Sequence, residues 1–397
     1  MLFFLVAIIV FALLYGYIGW RVIVPTDFSL PVTVILWGLL IIFWLLPFVT
    51  AMIRFGGKGG ILIDTLAWIG YFGFGFFTLL FAILIAKDVI LLVSSGVHYL
   101  VNFTGRLLGT PIGVEEAVDP ERRHLLVNSV NLGLLGLTGV LTGYGMFEAF
   151  RDPKIVRVDM PVANLPVDLD GFTIVQITDI HVSSTIKRPF VQKVVDTVNE
   201  LNPDLVALTG DLVDGSVAQL GNDVAPLAEL RAPYGSYFVT GNHEYYSGVE
   251  PWLAETARLG FTVLMNEHRV IEIGGGKILV AGVTDYTGGS FSSEHISDPH
   301  KALHGAPDCD AKILLAHQPK SIYEASKAGY DYMISGHTHG GQYFPYHFLT
   351  ALTQPYLSGF HRHDNMYLYV SRGTGYWGPQ IRLGARSEIT VHRLVRG

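Results

Sequence analysis

The sequence predicts an α/β domain preceded by an all-α transmembrane region of about four helices. Uncharged apolar stretches crowd residues 1–150, and a spanning helix needs about 20 mostly apolar residues. Beyond residue 150 the composition becomes that of an ordinary globular domain, in which short apolar runs alternate with a helical pattern, as in βα folds. Several of those runs end in Asp, Asn or His, and open α/β sheets place their sites at the carboxyl ends of strands.

The 397 residues leave room for a large domain and a second unit. Half of them are hydrophobic and 15% are charged, against about a quarter in average soluble chains. The net charge of −7 and the lack of a long basic run exclude nucleic acid as an expected partner. Cys309 is the single cysteine, so an intrachain disulfide and a cysteine-rich zinc site are excluded. It reads as a loop or partly buried thiol.

The spans fall near residues 1–20, 28–53, 61–86 and 124–147. The first has no charged side chain, the second lies between Asp27 and Arg54, the third carries only Asp64, and the fourth lies between Arg123 and Glu148. Trp20, Trp37, Trp44 and Trp68 fit helix ends or helix contacts. Residues 89–105 are apolar but short and follow Lys87-Asp88. They read as an extension of the third helix, an interfacial segment, or a fifth span that would invert the topology. Arg122-Arg123 precede the glycine-rich fourth segment, which also carries Asn128, Ser129 and Asn131. The pair reads equally as a twin-arginine signal or as positive-inside anchors. Both readings make a multi-pass cell-membrane protein with an extracytoplasmic domain. The basic tally is balanced: Arg21, Lys87, Arg106, Arg122 and Arg123 against Arg54, Lys58, Arg151, Lys154 and Arg157.

In residues 151–397, Lys154–Leu165 reads as a linker. Strand-like runs follow at 172–178, 204–209, 236–240, 313–316 and 332–335. Residues 188–201 have helical spacing, with Val191, Val194, Val195 and Val198 on one face.

After these runs stand Asp179-Ile180-His181, Gly210-Asp211, Gly241-Asn242-His243-Glu244, His317 and Gly336-His337-Thr338-His339. They supply two carboxylates, one amide oxygen and four imidazoles, enough ligands for two neighbouring metal ions, with His243 left over as a candidate acid. Paired metals are the usual equipment for hydrolysing phosphate esters. One Asp or His at a strand end is more often a turn former. The specificity lies in the set and its order.

In that order the blocks resemble the calcineurin-like metallophosphoesterase family, over roughly residues 155–394. The segments Gly336-His337-Thr338-His339-Gly340-Gly341-Gln342 and Ser371-Arg372-Gly373-Thr374-Gly375 are similar to a membrane-anchored bacterial branch of it. The resemblance implies two packed mixed sheets flanked by helices. It implies that Asp179, His181 and His339 hold one metal, that Asn242, His317 and His337 hold the other, and that Asp211 bridges them. Glu244 is an acidic position of the family and not a ligand. His243 is then the residue that stabilises the transition state or protonates the leaving oxygen, oriented by Asp214. Oxygen and imidazole ligands suit two divalent or mixed-valence ions, Mn, Fe or Zn, better than Ca.

The expected activity is cleavage of phosphodiester or pyrophosphate bonds in a lipid-linked or head-group substrate, with the lipid bilayer as partner. A cytoplasmic domain would instead fit the UDP-2,3-diacylglucosamine pyrophosphatase of lipid A synthesis. A membrane scaffold or transporter with a regulatory phosphoesterase-like domain is the alternative from another class. Against it, Asp64 is the one acidic residue in the spans. A protein phosphatase is the remaining possibility, without a recognisable peptide groove.

Tyr245, Tyr246, Tyr376 and Trp377 shape the substrate pocket and Arg372 or Arg382 meets a distal phosphate, with packing or a solvated face as the alternative for each. Tyr343-Phe344-Pro345-Tyr346 and Phe348-Leu349 read as buried core, with a membrane-facing apolar lip near the site as the alternative. His268, His295, His300, His304, His347, His361, His363 and His392 read as surface or loop residues.

Overall fold

The computed structural model describes residues 2–55, 57, 59–109 and 119–397. Two compact units result, Met1–Thr50 with Ile69–Tyr144, and Ala51–Trp68 with Gly145–Gly397.

Four long helices run through the N-terminal region: α1 (Leu2–Val22), α2 (Leu30–Phe55), α3 (Ile61–Leu107) and α4 (Pro120–Phe150). Each is long and apolar enough to cross a membrane. Residues 89–105 are a continuous extension of α3, whose 47 residues reach about 70 Å. In the first unit Tyr15, Ile18, Leu40, Leu80 and Leu84 form a buried seam, while Leu13, Val34 and Ile41 stay exposed, as lipid-facing side chains do. Some polar groups there pair with one another. Asp88 accepts from the Tyr17 hydroxyl and the Arg21 guanidinium, and the Asn131 amide donates to the Arg21 carbonyl at 2.9 Å.

The second unit is built from β1 (Lys154–Val162), β2 (Thr173–Ile177), β3 (Leu205–Thr209), β4 (Ser236–Val239), β5 (Phe261–Val263), β6 (Glu267–Ile273), β7 (Gly276–Gly282), β8 (Ala311–Leu315), β9 (Tyr332–Ser335), β10 (Gly359–His363), β11 (Met366–Val370) and β12 (Glu388–Arg396). One six-stranded sheet has the order β1-β12-β2-β3-β4-β5 and the other β10-β11-β9-β8-β7-β6. Both are mixed. β2, β3, β4 and β5 run parallel, with β12 antiparallel to β2. In the second sheet β7, β8, β9 and β11 run parallel, with β6 and β10 antiparallel at the edges. The shorter helices are α5 (Arg188–Glu200), α6 (Val217–Val224), α7 (Asn242–Ser247), α8 (Val249–Arg258), α9 (Pro299–Ala302), α10 (Ile322–Ala328) and α11 (Tyr346–Thr353).

The central strands are apolar without interruption because both of their faces are buried. Leu205 and Ala207 of β3 point into the layer between the sheets, with Ile174, Val280, Ile313 and Ile334. Val206 and Leu208 point outward, beneath Val191, Val194, Val195 and Val198 of α5 and Leu220 of α6. Leu279, Leu314 and Met333 pack under Ala302 of α9 and Ile322 and Ala325 of α10.

Two sequence expectations need correction. Lys154–Leu165 is not a linker: Lys154–Val162 is the edge strand β1, parallel to β12 over its whole length. Its alternation is weak because an edge strand is covered on fewer sides, and its partner lies at the other end of the domain. His392 is not a surface residue. It sits fully buried on β12, with Nε2 3.1 Å from Gln176 Oε1 and its ring beside Tyr332 and Tyr369. His295 is buried as well.

Burial lowers the His392 pKa from 6.5 to about 3. Below pH 6.5 the unfolded chain takes up a proton that the folded chain refuses, so stability present above pH 6.5 is lost as the pH falls. The slope is about 1.4 kcal/mol per pH unit. His392→Gln keeps a side-chain amide near Gln176 and removes the titration. Unfolding measured at pH 7 and pH 5 should show the wild type losing about 2 kcal/mol more than the variant. Equal losses would mean that His392 protonates within the folded domain.

Candidate metal centre

Parallel strands of the two sheets deliver every predicted residue to one place. Asp179 and His181 follow β2, Asp211 follows β3, Asn242 and His243 follow β4, His317 follows β8, and His337 and His339 follow β9. The first three strands are neighbours in one sheet, and the last two are neighbours in the other. Six of the seven predicted ligands are buried and His337 is half-buried.

The local backbone is unusual. Asp179, His181, Asp211, His337 and His339 have φ between 51° and 73°, a left-handed region that side chains with a Cβ seldom occupy. Each such residue costs on the order of 1–3 kcal/mol and persists where the surroundings over-determine it. The glycines before the ligands allow close approach. A Cβ on Gly241 would lie 2.2 Å from Asp211 Oδ1, and one on Gly336 would lie 2.2 Å from Asp179 Oδ2.

Three groups of ligand atoms lie close enough to share a cation: Asp179, His181 and His339; Asp211, His317 and His337; and His181, Asp211 and His243. His181 Nε2 stands 3.0 Å from His339 Nε2, and His337 Nδ1 stands 3.2 Å from His317 Nε2. Asp179 Oδ1 is 3.4 Å from His339 Nε2. Asp211 Oδ2 is 3.0 Å from His317 Nε2 and 3.8 Å from His181 Nε2, so it adjoins both halves. The Asn242 Oδ1 is buried without a hydrogen-bond partner. A buried amide oxygen left unpaired is costly, and a cation beside it removes that cost. The donor set thus fits two metal ions.

The electrostatics agree. Burial, aided by the charge of His317, pushes the His337 pKa down to about 3. Burial and the neighbouring His181 hold His339 well below its ordinary value. Both imidazoles are neutral and their lone pairs free to bind a metal. Burial opposes a charge on His317, but Asp211 outweighs it and raises its pKa. A cation held by Asp211 and His317 would take the place of that proton.

His243 stands at the rim. Its Nδ1 is 2.5 Å from Asp214 Oδ1, and its Nε2 lies 4.0 Å from Asp211 Oδ2. Burial disfavours its cation, yet Asp211 and Asp214 push the pKa up to about 9. Asp214 also faces His181 Nδ1 at 3.3 Å, a second contact that the sequence did not suggest. Burial works against the Asp214 charge, but the two imidazoles hold its carboxyl well below the usual range.

A ring of hydrogen bonds fixes these groups from behind. His317 Nδ1 lies 2.8 Å from the Thr209 carbonyl, which leaves Nε2 as the acceptor toward the centre. The Glu244 carboxylate accepts from the backbone N–H groups of Asp211 at 2.9 Å, Leu212 at 2.8 Å and Gly241 at 2.6 Å. It clamps the loops carrying Asp211 and Asn242 together. Arg382 is fully buried, donates to the Ala385 carbonyl at 2.8 Å, and contacts His339 Nδ1 at 2.9 Å. It therefore does not meet a distal phosphate, and the packing alternative describes it. No local motif marks this role, because only the fold brings Arg382 to His339.

Tyr246 and Trp377 are exposed beside His243, with ring centroids 5.2 and 5.8 Å from it, whereas Tyr245 and Tyr376 are buried packing residues. Arg372 pairs with Glu388 at 3.1 Å. His361 and His363 contact the Ser358 carbonyl and the Tyr356 hydroxyl and join no metal group among the described residues. The reading of residues 343–349 as core holds for Tyr343 but not for Phe344, Phe348 or Leu349, which are exposed, because α11 projects from the domain with no buried residue.

Glu244→Gln retains the size of the clamp but replaces one acceptor oxygen with an N–H donor. One of three buried N–H groups loses its partner, which costs about 1–3 kcal/mol. Denaturant unfolding should register that loss. An unchanged midpoint would show that the clamp is dispensable.

The family model for calcineurin-like phosphoesterases matches residues 172–341. A Danio rerio relative described as a transmembrane protein with a metallophosphoesterase domain is 39% identical over 310 residues, covering 76% of this chain and 70% of the relative. An uncharacterized metallophosphoesterase of Helicobacter pylori (strain ATCC 700392 / 26695) is 39% identical over 277 residues, covering 69% of this chain and 72% of the relative. With its apolar helices and its cluster of histidine and aspartate ligands, the chain belongs to the calcineurin-like metallophosphoesterases, a family of phosphoester hydrolases, and is membrane-associated.

Proposed function

We propose that this chain is a membrane-anchored, two-metal phosphohydrolase that cleaves phosphodiester or pyrophosphate bonds of a lipid-linked or head-group substrate. Residues 1–150 serve as the anchor and residues 151–397 as the catalytic domain. The observation that carries the reading is the unpartnered Asn242 oxygen within a buried double set of Asp and His ligands. In the proposed assignment Asp179, His181 and His339 hold one ion, Asn242, His317 and His337 hold the other, and Asp211 serves both. Mn, Fe or Zn suits such donors. Bound there, two cations would supply Lewis-acid activation of water and neutralise charge on the phosphate oxygens.

The remaining work falls to the protein. Asp214 fixes the His243 ring through Nδ1 and leaves Nε2 directed inward, placed to hold a proton near the leaving oxygen. The two carboxylates facing His243 favour its charged form. Cations beside Asp211 would lower that preference, bringing His243 toward a pKa at which it can give up its proton near neutrality. Tyr246 and Trp377 wall the approach beside His243. The Arg122-Arg123 pair in the first turn of α4 supports a catalytic domain outside the cytoplasm, where a cytoplasmic nucleotide lipid is out of reach.

Thorough chelation should abolish hydrolysis of bis(p-nitrophenyl) phosphate, and added Mn should restore it. Activity that survives chelation would refute the two-metal reading. Asp211→Asn and His243→Ala should fail in different ways. The first should lower both metal content and rate. The second should keep its metals and lose about 10²–10⁴-fold in rate on a poor leaving group, with a smaller loss on p-nitrophenolate. Loss of a metal from His243→Ala would move that residue into the ligand set.

A further inference from the structure

The apolar surface next to the centre has no covering in the domain. The eight-residue helix α11 has no buried residue, although Phe348 and Leu349 are each 58% exposed and Leu352 is 83% exposed. Phe344, just before it, is also exposed and packs on Phe348 at 6.0 Å between ring centroids. A short helix that buries nothing takes little stability from its own fold, and contiguous exposed apolar groups mark interaction sites.

This surface is built onto the metal centre. Chain continuity joins α11 to His339 through residues 340–345. A Cβ on Gly341 would lie 2.3 Å from the His347 Cα, so the first turn of α11 presses on the ligand loop. Gln342 donates to the Trp377 carbonyl at 2.8 Å and accepts from its N–H at 2.9 Å. It thereby ties the same loop to the aromatic wall beside His243.

The membrane tether and the lack of acidic groups in the segment point to the occupant. The whole chain is at −7, yet residues 332–363 contain no Asp or Glu and do contain Arg362. An apolar helix in a segment without acidic groups suits the interface of an anionic phospholipid layer. The four helices capable of crossing a membrane keep the domain tethered to such a layer.

We propose that Phe344, Phe348, Leu349 and Leu352 form a lip that enters the acyl layer of a phospholipid bilayer, so that a lipid phosphate ester reaches the metal centre without leaving the membrane. The lip engages the bilayer and not the phosphate. The inference rests on the phosphohydrolase reading for its substrate, but its membrane contact is measurable without catalysis.

The full chain, with Cys309→Ser and Leu352→Cys carrying a fluorophore, is placed in nanodiscs of phosphatidylethanolamine and phosphatidylglycerol. Lipids brominated on their acyl chains should quench this probe and spare one at the exposed Glu200→Cys. In parallel, Phe348→Ser/Leu349→Ser/Leu352→Ser should lose about tenfold or more on a p-nitrophenyl ester of phosphatidic acid embedded in the discs. Its rate on soluble bis(p-nitrophenyl) phosphate should be unchanged. Absence of quenching at Leu352 would overturn the lip, as would equal losses on both substrates. An unquenched probe with a dimer that the triple variant dissolves would assign the face to a second copy. A wild type that hydrolyses neither compound would defeat the phosphohydrolase reading, while the quenching result would still decide the lip.

Discussion

Burying two carboxylates, four imidazoles and an amide at the meeting of two sheets is the constraint on which the rest of the domain depends. Charged and polar groups withdrawn from water are destabilising unless partners are supplied. Here they are directed at one another across 3.0–3.8 Å, with one oxygen left unpaired. Cations held among them would offset that cost. The left-handed conformations at five of the ligands follow from the arrangement, because each loop must turn sharply at the strand end to aim its side chain into the gap.

The surroundings hold that strain in place. Glu244 joins the loops after β3 and β4 through three backbone N–H groups. Thr178 and the His337 N–H fix the Asp179 carboxylate. Asp214 spans two imidazoles, one in the proposed ligand set and one proposed as the acid, so acid and metal positions are coupled through one carboxylate. Arg382 is a cation without exposure, and burial lowers its pKa to about 10. It stays charged at neutral pH, behind His339, where it counterweighs Asp179. These groups belong to the rigid ends of packed strands, which explains how a site assembled from segments 160 residues apart keeps its geometry.

The helical region and the lip carry a different physics. Apolar side chains of the four helices face outward, the reverse of a soluble fold, and the polar groups of Arg21, Asp88 and Asn131 find one another. The apolar residues Phe348, Leu349 and Leu352 of α11 are also turned outward, within a domain that buries most of its own.

The candidate ligands were legible in the sequence because each chemical block follows an apolar run, and burial on both faces makes those runs continuous and conspicuous. The four spans were legible because the bilayer fixes their length and forbids charge. Edge strands such as β1 were not, since partial exposure blurs their pattern, and their pairing is decided at long range. The burial of His392, the clamp made by Glu244 and the placement of Arg382 behind His339 were likewise out of reach. The sequence by itself determined which residues could bind metal and which could cross a membrane, because those properties are local chemistry. Only the tertiary structure decided which of them meet, which arginine is buried and which apolar residues remain uncovered, because proximity between distant segments arises from the packing of one sheet on the other.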